Sequence, residues 1–257
     1  MANSEQLNIL KLGSVAWNRW RENNPDVKPD LAHADLSNTD LEKANLKAAD
    51  LSEANLAGAK LERANLTKAN LEGANLTRAS LERAKAPASN LRKANLERAN
   101  LERACLAAAS FEDANLVRAS LERAKAPASN LRKANLERAN LERACLAAAS
   151  FEDANLEKAN LERTDLRKAN LEHVNLKKAN LEGANLTKAK LSGTVIDERT
   201  ITKMIRGACK KGDELVPETN RENRKPSRKL VAVSLVSVLA GIILYGFIRF
   251  IVPKREN

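Results

Sequence analysis

Three kinds of side chain in this 257-residue chain have chemistry to offer: thiols, imidazoles and carboxylates set in rows. The thiols are Cys105, Cys145 and Cys209, and the imidazoles are His33 and His173. A thiolate works as nucleophile or zinc ligand when a base, a cation or further ligands stand close to it. No Cys-x-x-Cys occurs, and neither histidine belongs to a Cys/His cluster with zinc spacing. An odd cysteine count with no secretory leader points to free thiols. The carboxylates are Glu42, Glu62, Glu82, Glu102, Glu122, Glu142, Glu162 and Glu182, one every twenty residues. Beside them stand Lys43, Arg63, Arg83, Arg103, Arg123, Arg143 and Arg163, so the row is neutralised and reads as solvated structure rather than a ligand site. No phosphate-binding glycine loop and no nucleophile motif is present. The expectation is a protein that is not an enzyme, with no catalytic residues, no cofactor and no metal.

An interval of twenty belongs to neither helix nor strand, so the elements behind it must be larger. Leucine returns every fifth residue from Leu31 to Leu191 and fills 29 of 33 such positions, the exceptions being Ala86, Phe111, Ala126 and Phe151. Five residues of α-helix turn the chain by about 500°, which scatters the leucines around the axis. In a flat strand an odd spacing alternates them between faces. A coil with four short sides satisfies the pattern. Leu and the Ala two residues before it point inward, and the two residues after Leu face water. Asn or Asp between Ala and Leu suits the corners, where its side chain bonds nearby backbone. Twenty residues make one coil, and coils stack about 4.8 Å apart. Cys105 and Cys145 then share a corner two coils apart, about 9.6 Å, too far for a disulfide. A core filled by Leu and Ala leaves no pocket.

The run ADLSNTDLEKANLKAADLSEANL, like everything to about Leu191, resembles the pentapeptide-repeat proteins. The lead-in AWNRWRENNPDVKPDLAHADL is similar to the start of such proteins. The resemblance implies an all-β fold, a right-handed quadrilateral β-helix. It also implies that no catalytic residues are shared across the family, whose best-known activity is DNA mimicry against topoisomerases.

The division expected is an N-terminal helical cap over 1–28, a repeat β-helix over 29–198 and a C-terminal cap helix over 199–210. A basic tether follows over 211–229, a transmembrane helix over 230–248 and a short basic tail over 249–257. The first cap reads as one helix over 4–22 with Leu7, Leu10 and Trp17 on one side, ended by Asn24-Pro25. In the second, Ile201, Met204, Ile205 and Ala208 follow helical spacing. Open coils expose backbone at their ends and need such covers. Residues 230–248 read LVAVSLVSVLAGIILYGFI, without a charge, and span about 29 Å as a helix. Arg224, Lys225, Arg228 and Lys229 precede this stretch, and Arg249, Lys254 and Arg255 follow it. This is the pattern of a single-pass C-terminal membrane anchor, with the repeat domain cytoplasmic. Ser237 and Gly241 form a small-xxx-small pair through which two anchors would pack into a dimer.

The net charge of +11 is uneven. Residues 29–198 carry 27 basic and 25 acidic groups, whereas 199–257 carry 13 and 5. A near-neutral rod argues against nucleic acid, and no aromatic residues are placed along it to stack bases. The outward pairs sort into four faces. One alternates Arg92-Lys93, Glu112-Asp113, Arg132-Lys133 and Glu152-Asp153, so opposite charges meet between coils. Another is uncharged over four coils: Pro87-Ala88, Ala107-Ala108, Pro127-Ala128 and Ala147-Ala148. That strip is the candidate interface for an unidentified protein partner. Residues 78–116 recur identically as 118–156, an offset of two coils that preserves every face. The functional expectation is a membrane-tethered, non-enzymatic scaffold or protein-protein interaction module. Two alternatives stand beside it, a DNA-mimic inhibitor or protector of a topoisomerase and a purely structural spacer.

Overall fold

The computed structural model describes residues 2–204. Its body is a stack of four-sided coils joined by parallel bridges twenty residues apart, from Asp30 with Asp50 to Asn175 with Val195. One unit shows how the backbone is satisfied. Asn55 N–H donates to Ala34 O in the coil before (2.9 Å) and Leu56 N–H to Asn75 O in the coil after (2.7 Å). Gly58 N–H donates to Thr77 O (2.9 Å), and Ala59 N–H closes a tight turn on Leu56 O (3.0 Å). The fifth N–H, of Ala57, donates to the Asn55 side-chain Oδ1 at 3.3 Å. Five donors thus find five acceptors, as buried backbone requires.

This places the corner differently from the sequence reading. The turn is made by Leu, the two outward residues and Ala, and the Asn or Asp lies on the flat side as the bridging residue. Its side chain does bond nearby backbone, but it accepts the first N–H of the corner that follows. The same amides also form rungs between coils, as in Asn75 Nδ2 to Asn55 Oδ1 (3.1 Å) and Asn115 Nδ2 to Asn95 Oδ1 (3.0 Å). Cys105 and Cys145 are therefore flat-side residues rather than corner residues.

The second outward residue of every corner from His33 to Gly193 has positive φ, 53–61° where it is not glycine. For an L-residue this costs about 1–2 kcal/mol. In corners with a further coil stacked on them, two bonds hold this shape: the intercoil bond from that residue's own N–H, and the Ala-to-Leu turn bond.

Inside, leucine and alanine columns are almost wholly excluded from water, and Phe111 and Phe151 are fully buried. Coils with Ala86 or Ala126 in a leucine position alternate with coils holding Phe111 or Phe151. The larger phenylalanine rings of one coil lie next to the coils that hold the small alanines.

Helices α1 (Ser4–Lys11) and α2 (Ser14–Asn23) close the first coil, two segments where the sequence suggested one. The chain breaks at Gly13, whose φ of 105° no helix accommodates. Helix α2 supplies side chains where a preceding coil would supply backbone. Trp17 Nε1 donates to Asn45 O (2.9 Å), and Asn18 Oδ1 accepts from Asn45 N–H (2.7 Å). Arg21, buried and held below its ordinary pKa by that burial, donates to Val27 O (2.6 Å). At the far end a helical segment over 198–204 begins after Asp197. Asp197 Oδ1 accepts from Thr200 N–H and its Oδ2 from Lys178 N–H, both at 2.9 Å.

The membrane localisation with a cytoplasmic rod is corrected here. Among the described residues no helix is long and apolar enough to cross a membrane. The longest of them, α2, has 10 residues, about 15 Å against a hydrocarbon core of about 30 Å. The segments assigned to tether, span and tail lie outside the described residues. So do Arg224, Lys225, Arg228, Lys229, Arg249, Lys254, Arg255, the Ser237/Gly241 pair and Cys209.

Candidate interaction face

The corner strip Pro87-Ala88, Ala107-Ala108, Pro127-Ala128 and Ala147-Ala148 forms one edge of a flat side of the rod. In each pair the first residue is half-buried and the second exposed. Down the middle of that side runs the bridging column Lys85, Cys105, Lys125 and Cys145. The other edge is the arginine row Arg83, Arg103, Arg123 and Arg143.

This column departs from the other three. In the other columns Asn or Asp mostly recurs and accepts the first N–H of the next corner, with Lys60, Ser80, Ser110, Ser120, Ser150 and Lys190 as breaks of one or two coils, whereas here four successive coils lack Asn, Asp and Ser alike. At Lys85 and Lys125 the loss is compensated, because the corners begin with Pro87 and Pro127, which have no N–H to satisfy. At Cys105 and Cys145 it is not. Among the described residues the N–H groups of Ala107 and Ala147 have no hydrogen-bond partner. The proline corners also carry looser turns, with Ser89 N to Ala86 O and Ser129 N to Ala126 O both at 3.4 Å. The buried hydroxyls of Ser89 and Ser129 donate to the same carbonyls at 2.8 Å and tie these turns shut.

The charges of the column from Lys85 to Cys145 are both positive. Lys85 and Lys125 are exposed and make no ion pair within 4 Å among the described residues. Of the glutamates at the arginine corners, Glu102 takes a hydrogen bond from Ser120 Oγ (3.1 Å) and Glu122 one from Asn140 Nδ2 (3.5 Å), both on the other side. The first acid in the column is Asp165, next after Cys145. The Arg167 guanidinium, donating to both its oxygens at 2.8 and 2.7 Å, holds Asp165 below the usual carboxylate range.

The neighbouring faces satisfy their own charges. Arg92 pairs with Glu112 (2.6 Å) and Arg132 with Glu152 (3.2 Å) across coil boundaries. On the arginine edge of the candidate side, Arg83, Arg123 and Arg143 likewise pair with the glutamate just before them at 3.4–3.6 Å. His33 and His173 face Glu53 and Asp153 singly, at 3.3 and 3.6 Å. No group of three or more His, Cys, Asp or Glu side chains converges among the described residues. The reading from sequence found the Pro/Ala strip and the two cysteines but not Lys85 and Lys125. The signal was present in the Asn/Asp position, sorted by twenties: Lys, Cys, Lys, Cys where the other columns favour Asn, Asp or Ser.

The family model for pentapeptide repeats matches in eight copies spanning residues 30–197. The chain is a pentapeptide-repeat protein. Among solved structures it is similar to HetL, a pentapeptide-repeat protein involved in heterocyst differentiation regulation from the cyanobacterium Nostoc sp. strain PCC 7120. The two share 32% identity over 66% of this chain and 85% of HetL, with a TM-score of 0.50. It is also similar to QnrB1, a plasmid-mediated fluoroquinolone resistance protein, at 17% identity over 69% of this chain and 87% of that one (TM-score 0.47). A third likeness is to Rfr23 from the cyanobacterium Cyanothece 51142, at 27% identity over 45% of this chain and 88% of that one (TM-score 0.36). No curated protein sequence matches. As a pentapeptide-repeat protein the chain is a right-handed β-helical solenoid, and the handedness of its coils follows from that membership.

Proposed function

We propose that this pentapeptide-repeat protein is a non-enzymatic protein-interaction module that presents one flat side, from Lys85 to Ala148, to a protein partner. The observation that carries this reading is the four-coil interruption of the Asn/Asp column. At Cys105 and Cys145 the missing acceptor forgoes about 0.5–1.5 kcal/mol of hydrogen bonding each. Departures that cost stability without local compensation, as at Cys105 and Cys145, concentrate at functional surfaces. A photocrosslinking residue placed at Ala107 or Ala147 of the full chain is expected to give discrete protein adducts, whereas the same residue at Arg98 or Arg138 gives none. Equal labelling at all four positions would leave a purely structural spacer as the better description.

Duplex mimicry is not favoured. It needs an unbroken acidic stripe, and glutamates such as Glu82, Glu122, Glu142 and Glu162 each stand within 4 Å of a guanidinium. A gyrase supercoiling assay with the full chain is expected to show neither inhibition nor protection.

A further inference from the structure

We infer that the partner's contact segment is an acidic α-helix lying along the rod, its carboxylates meeting Lys85, Ala107, Lys125 and Ala147 in turn. This rests on the assignment of the interaction face above and goes on to name the chemistry it recognises.

The four groups share one property. Among the described residues each is a hydrogen-bond donor without an acceptor: the ammonium groups of Lys85 and Lys125, and the backbone N–H groups of Ala107 and Ala147. They alternate coil by coil, so donors recur along the axis about every 4.8 Å. An acidic residue once per helical turn recurs about every 5.4 Å. Over three steps the two progressions separate by about 2 Å, which a lysine side chain spans by changing rotamer. An extended strand running the same way repeats each face about every 6.6 Å and loses register sooner.

The small side chains at the corners serve the same end. Alanine at 107 and 147 leaves the N–H approachable, and proline at 87 and 127 offers a rigid apolar shelf without a competing donor. No carboxylate stands in the column before Asp165, whose charge is already taken by Arg167. The aromatics of the rod, Phe111 and Phe151, are buried. The face therefore has no stacking platform for nucleic-acid bases, and an acidic polypeptide fits it better than a phosphate backbone.

The test uses the full chain and a fluorescent helical peptide carrying one glutamate per turn. Its controls are a glutamine version of the peptide and a DNA duplex. Binding is expected to weaken with salt, to vanish for the glutamine peptide, and to fall roughly tenfold in Lys85→Asn/Lys125→Asn. Cys105→Asn/Cys145→Asn should weaken it too, since the new amides take up the N–H groups of Ala107 and Ala147. Both pairs restore the residue type of the other columns, so circular dichroism should show an intact fold with a Tm no lower than wild type. Unchanged affinity in both pairs, or tighter binding of the duplex than of the peptide, overturns the inference. Adducts at Ala107 with unchanged peptide affinity would sink the acidic helix alone and keep the face. Loss of those adducts would remove both.

Discussion

Proline at residue 107 should stabilise this protein, although proline usually damages a hydrogen-bonded sheet. Ala107 is the first outward residue of its corner, the position that Pro87 and Pro127 occupy one coil away on either side. Its N–H has no partner to lose among the described residues. What remains is the entropy withheld from the unfolded chain, about 0.4–1 kcal/mol for each such change. Ala147 is equivalent and lies two coils away, so Ala107→Pro/Ala147→Pro should gain about 1–2 kcal/mol if the sites add. At about 2–4 °C per kcal/mol for a domain of this size, Tm rises by about 2–8 °C. The control is Ala57→Pro, the same change at the same place in the corner. There the N–H donates to Asn55 Oδ1 at 3.3 Å, and losing that bond costs about 1 kcal/mol, which offsets the entropy gain. Differential scanning calorimetry on the variants reads the contrast directly. Equal shifts for Ala57→Pro and Ala107→Pro would refute the role given to the asparagine acceptor, and a loss at Ala107 would refute the geometry of the corner.

Cys105→Asn and Cys145→Asn should each raise stability by about 0.5–1.5 kcal/mol by giving Ala107 and Ala147 an acceptor, measurable in urea melts. Hydrogen bonds from Ser37 hold the Asp35 carboxyl below its ordinary pKa, and those from Arg167 do the same for Asp165. Such groups stabilise the fold above their unfolded pKa, about 3.9, and that contribution is lost as pH falls through the lower folded value. Asp35→Asn/Asp165→Asn keeps both Oδ1 acceptors, so its acid limb should be flatter than wild type in Tm measured from pH 5 to pH 2; parallel curves would contradict this. Trp17→Ala removes a fully buried ring and the donor to Asn45 O, and should cost about 3–5 kcal/mol. Hydrogen exchange should then quicken first in the coil from Leu31 to Asp50, and uniform protection would show that α2 is not what seals that end.

The repeat was legible because Leu and Ala carry it: an apolar residue held in one frame from Leu31 to Leu191 admits few geometries. The corner was not, because a period of five fixes how often the chain turns but not which residues make the turn. Asn55 next to Leu56 fits either phase until its Oδ1 is seen to accept from Ala57. The break at Gly13 was hidden by apolar spacing that runs on across it, from Leu10 to Trp17. On the proposed interaction face, sorting the charged pairs by twenties exposed the Pro/Ala strip. Lys85 and Lys125 escaped notice because a lone lysine between alanines looks ordinary until its column is set beside the others.

The internal duplication keeps its register because its offset is a whole number of coils. A shorter slip would behave differently. Inserting or deleting a single five-residue unit leaves every leucine facing inward and every intercoil bond available. Yet it turns all that lies above it by a quarter revolution relative to the N-terminal helices. The solenoid is in effect a dial. Its core sets the click positions, and its lineage can bring a given surface column to any of four bearings without repacking the interior.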